Sequence, residues 1–444
     1  MAANAAPEPW FLSGNYAPVP DEITEFDLRV TGSVPTELQG TYIRNTPNPK
    51  DGKGDHWFFG DGMVHGVRLE GGKAAWYRNR WVKTPKFEKG LSSMDPECMG
   101  DRTASAANTH VLGHAGKILA LEEGSFPFEL TKELDTIGYN DYEGRLTTAF
   151  SAHPKLCPET NELHTFGYGQ LPPFLTYHVL DAKGDLAHTA EIEVPGSTMM
   201  HDFMITRDHA IFMDLPVTFD LQKAIAGEIP IGWDESYGAR IGILPRFGTN
   251  ADIRWFEIDP CYVFHPLNAH VDGSKVVCQV GRHEYMWRDS MDDFAPSYMY
   301  EWTFDMDTGA ITETQLDDVS HGFPRVDERR IGLPARYGWT VGSRPGSDGS
   351  MDAPGVVMKY DLEKGNTAIH DFGPNAQPGE FVFVPRSEGA GEDDGWAMGY
   401  VYDKAENTSS LVILDGANPQ DAPVATVHMP RRVPHGFHGS WVGD

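Results

Sequence analysis

Apolar and polar residues alternate with a period of two through most of this chain, and the 3.6-residue period of an amphipathic helix is scarce. The alternation is broken by turns rich in Asp and Gly. Residues 177–186, 302–311 and 357–366 each read as an apolar strand, a turn and the start of a return strand. The turn glycines Gly184, Gly309 and Gly365 supply the positive φ that a tight hairpin needs. Residues 221–227 are the one segment that reads as a short helix. Such units recur along the chain without strict sequence repetition, which predicts radially repeated four-stranded sheets, a β-propeller. Seven blades would take about 63 residues each, more than simple propeller repeats use. The surplus belongs in loops, where a site would be built. A β-sandwich array is the alternative. No Pro/Gly/Ser-rich linker divides the sequence, so residues 1–444 are expected to form a single domain.

Composition narrows the function. Hydrophobic residues make up 40%, enough for a globular core. Lys and Arg total 36 against 65 Asp and Glu, a formal charge of −29 that repels nucleic acid and anionic lipid. Cys98, Cys157, Cys261 and Cys278 show no C-x-x-C spacing, which argues against a thiolate-held zinc or iron–sulfur site. The Ala- and Pro-rich start has no basic end and no apolar run, so no signal peptide is expected. No stretch approaches the ~18 apolar residues of a membrane span. A cytoplasmic protein is the expectation.

Eighteen histidines are present, and four stand apart by context. His153 lies in Ser-Ala-His-Pro-Lys, His201 in Met-Met-His-Asp-Phe, His265 in Val-Phe-His-Pro-Leu-Asn-Ala and His438 in Gly-Phe-His-Gly-Ser-Trp. Each sits among apolar or small residues. Their even spread suits one residue from each of several blades pointing at a shared axis. A neutral imidazole buried on a strand needs a partner for each ring nitrogen; a metal can serve one and a carboxylate the other. Four imidazoles suit Zn, Cu, Fe or Ni.

Motifs in a fixed order then identify a resemblance. Leu12-Ser-Gly-Asn-Tyr-Ala-Pro-Val is followed by Tyr42-Ile-Arg-Asn-Thr-Pro-Asn-Pro, His56-Trp-Phe-Phe-Gly-Asp-Gly-Met-Val-His65 and Tyr77-Arg-Asn-Arg-Trp-Val. Ala152-His-Pro-Lys, Met200-His-Asp-Phe, Arg254-Trp-Phe-Glu, Phe264-His-Pro-Leu-Asn-Ala and Val433-Pro-His-Gly-Phe-His-Gly complete the series. The chain resembles the carotenoid cleavage oxygenase family from about Trp10 to its C-terminus. That resemblance implies an all-β, seven-bladed propeller. Loops and short helices would form a cap over the iron-bearing face. It implies Fe(II) on His153, His201, His265 and His438. The neighbouring His270 and His435 fall off the motif positions, and His56 and His65 look structural. The family also places glutamates behind three of the ligands. Glu123 matches the partner of His201 and Glu380 the partner of His438. The third should precede Phe-Pro-Arg, where this chain has Gly322. Water or His321 is the expected substitute behind His265.

The implied reaction is cleavage of a C=C bond in an apolar, conjugated substrate by O₂, giving two carbonyl products, with no catalytic acid or base. The stretch from Asp259 to Ala269 looks like the apocarotenoid-cleaving branch. Stilbene and isoeugenol branches hold a phenol with a lysine, and in the stilbene enzymes also a tyrosine, at positions that here look like Glu122 and Phe87. An apocarotenoid is therefore the expected substrate and a stilbene or phenylpropenoid the alternative. Glu122 either faces the substrate pocket or turns to solvent. A non-catalytic propeller binding an apolar ligand is the reading from another class. An isomerase like the membrane-embedded retinoid branch fits less well, because no apolar surface patch is evident in the sequence, although peripheral membrane contact stays compatible with it.

Overall fold

The computed structural model describes residues 9–54, 56–98, 100–226, 230–344 and 355–444. The start of the chain, on which the signal-peptide expectation rests, lies mostly outside the described residues. Seven sheets of four or more antiparallel strands are arranged as the blades of a propeller, joined by a separate two-stranded ribbon. We number the blades from the N-terminus. Blade 1 is built on Gly40–Pro47, Gly62–Glu70 and Lys73–Trp81, and its inner edge is the C-terminal strand Gly439–Gly443. That strand runs antiparallel to Gly40–Pro47, with Tyr42 opposite Trp441, so the two ends of the chain close the ring. Blades 2 to 6 follow as 110–139, 155–191, 204–258, 262–315 and 321–371. Blade 7 takes 376–428 and borrows Val30–Gly32 as its outer strand.

The three hairpins expected from the sequence form as read. Leu175–Leu180 pairs with Leu186–Glu191, Ser297–Asp305 with Ile311–Gln315, and Val356–Asp361 with Asn366–Asp371. Gly184, Gly309 and Gly365 sit at φ of 84°, 80° and 63°, the left-handed region that glycine enters without a Cβ clash. Strands buried on both faces, such as Val356–Asp361 and Gly40–Pro47, sit between neighbouring blades. Ile211 and Ile241 of blade 4 pack against Val276 and Trp302 of blade 5 in one cluster, all 1% exposed or less. Each such side chain contributes about 1.5–3 kcal/mol by leaving water, and this inter-blade packing fixes the radial arrangement.

Short elements and loops cap one end. The helix Leu221–Ala226 falls within the segment read as helical, whose last residue lies outside the described residues. The ribbon Val217–Phe219 with Ile231–Trp233 lies beside it. The helix Pro85–Lys89 is set by local signals alone. Thr84 accepts the Phe87 N–H at 3.2 Å, Pro85 occupies the first turn, and Gly90 ends it at φ 67°. Among the described residues no helix is long and apolar enough to cross a membrane. All four cysteines are free.

Candidate metal centre

The inner strands of four blades deliver the four histidines singled out by context. His153 lies two residues before the first strand of blade 3, Lys155–Leu156, and His201 lies three before that of blade 4, Met204–Ile205. His265 lies within Tyr262–Asp272 of blade 5, where a break in register around Pro266 interrupts regular pairing. His438 sits just ahead of the closing strand Gly439–Gly443 of blade 1. One nitrogen of each lies within 4.8 Å of the other three. The Nε2 atoms of His201 and His265 are 3.1 Å apart. Two imidazoles at right angles around a cation, each at about 2.1 Å, would be separated by about 3 Å.

Three of the outer nitrogens lie against acids. Nδ1 of His438 donates to Glu380 Oε1 at 2.8 Å. A carboxylate accepts only, so this fixes the proton on Nδ1 and leaves Nε2 a lone pair facing the cluster. Glu380 is 1% exposed, and it also accepts the Gly439 N–H at 2.8 Å and lies 3.1 Å from Arg325 Nη1. Burial would raise its carboxyl, but the Arg325 guanidinium and His438 outweigh that and hold it well below the usual carboxylate range. Nδ1 of His201 lies 2.5 Å from Glu123 Oε1, close but not aligned as a regular hydrogen bond. The hydroxyl of Tyr168 donates to the other Glu123 oxygen.

Asp202 is the group that the motif reading passed over. Its Oδ2 lies 3.5 Å from His153 Nδ1, while Oδ1 lies 2.7 Å from Lys155 Nζ and accepts the Phe203 N–H at 2.6 Å. The signal was present, since Asp202 follows His201 and Lys155 stands two residues after His153. Only the approach of blades 3 and 4 makes them one network. Burial, with the neighbouring imidazoles, holds His153 and His265 well below the ordinary histidine range, so both stay neutral. His153 Nε2 is buried with no hydrogen-bond partner, as expected of a nitrogen whose partner is a metal. Four inward nitrogens, at least two of them with the outer nitrogen against an acid, fit a divalent transition metal.

Of the two substitutes expected behind His265, His321 is not in place. No hydrogen bond links it to His321, whose ring nitrogens are both buried without a partner. His321 packs instead against Tyr360, with ring centroids 6.0 Å apart. What braces His265 is Phe323, stacked on it at 5.4 Å and 25°. Gly322 lies on the cavity wall beside these residues. The near-miss histidines stay out of the cluster. His270 is on the same strand opposite Val277, and His435 Nε2 faces Gln377 Oε1 at 3.2 Å. His56 caps Trp57–Phe59, and His65 pairs with the Tyr77 hydroxyl at 2.9 Å.

A cavity of about 1830 Å³ opens beside the cluster, with His201, His265 and His438 on its wall. Aromatic residues including Trp57, Phe58, Phe264, Trp287 and Phe437 line it. Glu122 is half-buried on this wall, where Oε1 accepts the Gly124 N–H at 3.0 Å. Burial raises its carboxyl above the usual range. Phe87 is elsewhere, off the cavity wall, where it packs on Trp81 at 5.8 Å with Lys50 Nζ over its ring at 4.5 Å. The helix Pro85–Lys89 turns its ring into this separate niche. Trp10, Leu171 and Ile225, exposed by 44%, 72% and 73%, also belong to the cavity lining. They are scattered in the sequence, and the fold sets all three along this one lining.

The sequence model described as retinal pigment epithelial membrane protein matches residues 16–443. The chain belongs to this family, that of the carotenoid cleavage oxygenases. It is 39% identical to the carotenoid cleavage oxygenase of Mycobacterium tuberculosis, over 97% of each chain. It is 34% identical to the isoeugenol monooxygenase of Pseudomonas nitroreducens, again over 97% of each. Among solved structures it superposes on the lignostilbene dioxygenase of Pseudomonas brassicacearum with a TM-score of 0.91 and 28% identity, covering 99% of this chain and 100% of that one. Like these relatives, this carotenoid cleavage oxygenase family member is an oxidoreductase.

Proposed function

We propose that this chain binds Fe(II) through His153, His201, His265 and His438 and uses O₂ to cleave one C=C bond of an apolar, conjugated substrate, most readily an apocarotenoid. The observation that carries this reading is the convergence of four imidazoles, three of them on the wall of a large aromatic-lined cavity. Ferrous iron held there would supply the dioxygen chemistry that turns one alkene and one O₂ into two carbonyl products. The balance needs no added reductant, because each product carries one of the two oxygen atoms.

The chain's own contribution is binding, orientation and dryness. Glu123, Glu380 and Asp202 hold three ligand rings from outside, and Arg325 keeps Glu380 ionised. The aromatic walls place a flat conjugated chain against the histidines and exclude water. An ionised Glu122 at the wall repels a phenolate that a lysine would hold, and it accepts from a hydroxyl. This supports a polyene over a phenolate, as does the higher identity to the mycobacterial carotenoid cleavage oxygenase. The superposition on a lignostilbene dioxygenase supports the stilbene alternative. The exposed apolar side chains at the cavity mouth suit entry of a lipid-dissolved substrate by peripheral contact with a membrane. Residues 1–444 act as one domain in this reading.

The test combines metal analysis with product masses on a panel of β-apocarotenals, isoeugenol and 4-hydroxystilbene. One iron per chain and two carbonyl products are expected, fastest with an apocarotenal. His265→Ala should lose both iron and activity, and His435→Ala should keep most of each. Full activity in His265→Ala, or an iron-loaded protein that cleaves no alkene on the panel, overturns the reading.

A further inference from the structure

His283, the last residue of the strand Lys275–His283 in blade 5, is 7% exposed, lines the large cavity and takes no part in the four-histidine cluster. Its Nδ1 lies 2.6 Å from the Ala295 carbonyl oxygen. A carbonyl only accepts, so Nδ1 carries the proton and Nε2 is a bare lone pair. The two ring nitrogens diverge, so with Nδ1 pinned to Ala295 the Nε2 edge faces away from that carbonyl. Among the described residues no protein group hydrogen-bonds it.

The surroundings define what could approach. Phe264 has its ring 4.9 Å from the His201 ring and 6.0 Å from the His283 ring, so one aromatic ring separates His283 from the ligand cluster. Ser297 faces His283 directly across the ladder and also lines the cavity. Gly281 lies two residues before His283, on the same face of the strand. A Cβ there would come within 2.9 Å of Ser297 Oγ and 3.3 Å of the His265 carbonyl oxygen. Glycine thus leaves this part of the wall without a side chain, beside Ser297 and the His265 carbonyl.

We infer that His283 Nε2 accepts a hydrogen bond from a hydroxyl group of the substrate, and that this contact, about one ring's breadth from the histidine cluster, sets which hydroxylated substrates bind productively. The inference rests on the alkene-cleaving reading above. A neutral acceptor in an aromatic wall favours a donor strongly over a bare C–H, because an unmatched polar group loses its solvation on entry. A phenol and a ring alcohol share this chemistry.

Affinity measured without oxygen separates this inference from the reaction itself. Quenching of tryptophan fluorescence reports occupancy, since Trp57 and Trp287 line the cavity. The probes are 4-hydroxystilbene against trans-stilbene, and a 3-hydroxy-β-apocarotenal against the unsubstituted β-apocarotenal. The wild type should bind the hydroxylated member of at least one pair more tightly, and that pair identifies the source of the hydroxyl. In His283→Phe the preference within that pair should fall about 3- to 10-fold, the worth of one neutral hydrogen bond. His283→Gln, whose side-chain oxygen can accept, should restore part of it. Equal affinities within both pairs in the wild type overturn the inference. So does an unchanged preference in a folded His283→Phe. Failure of turnover on any substrate would bear on the proposed reaction and leave this measurement standing.

Discussion

Replacing Glu380 by Gln isolates what the carboxylate behind His438 does. The carboxylate is fully buried, with His438 Nδ1 and the Gly439 N–H each at 2.8 Å and Arg325 Nη1 at 3.1 Å. All three of those groups are donors. The amide of glutamine keeps the shape but offers one oxygen and one NH₂, so at least one donor then meets a donor. Losing a hydrogen bond that involves a charged group costs about 1.5–3 kcal/mol. Arg325 also loses a buried counter-charge, a change that reaches about 3–5 kcal/mol where no other partner exists. Arg325 keeps Glu328 at 2.6 Å, so the lower part of these ranges applies. We expect about 3 kcal/mol of lost stability in the metal-free protein and a further 10- to 100-fold loss of metal affinity, since His438 loses the acceptor that fixes its tautomer. The assay is iron release to a ferrous chelator, with thermal unfolding of metal-free and iron-loaded protein. Glu328→Gln, which touches only the solvent side of Arg325, should leave iron release near the wild-type rate. Iron release at the wild-type rate from folded Glu380→Gln would refute the argument.

The remaining predictions concern other groups. Gly322→Glu restores an acid at the position where the family resemblance places one, and iron should leave this variant more slowly than the wild type. Unchanged or faster loss from a folded variant would show that stacking on Phe323 already braces His265. Stability should also fall in acid. Burial lowers His164 and His321 from the ordinary 6.5 to about 3, and His178 and His283 to about 4. Below pH 6.5 the unfolded chain takes up protons that the folded chain refuses, so stability present above that pH is lost as the pH drops toward 4. Each group contributes about 1.4 kcal/mol per pH unit over its window. Melting temperature followed by circular dichroism should decline steeply from about pH 6.5 downward, and His178→Gln should flatten the slope by about one proton. A flat profile between pH 6.5 and 5 would contradict it.

The sequence by itself determined the local structure and the identity of the clustered histidines. Period-two alternation and glycine turns set the hairpins at 177–186, 302–311 and 357–366, because strand pleat and turn φ depend on neighbouring residues alone. The helix Pro85–Lys89 is likewise local, though only its caps reveal it. The four histidines were legible because each breaks an apolar or small-residue context, and their motifs matched a family. Three things were decided only by tertiary structure. Asp202 reaches His153 because blade 4 docks against blade 3, across 49 residues of chain that no local pattern spans. Phe87 leaves the cavity wall, although its motif position suggested otherwise, because the helix it sits on turns its ring toward Trp81 and Lys50. Trp10, Leu171 and Ile225 come from three distant segments, and only the fold sets all three along one cavity lining. Contacts between blades depend on where the closed ring places each strand, and closure is settled by the pairing of Gly439–Gly443 with Gly40–Pro47, residues at opposite ends of the sequence.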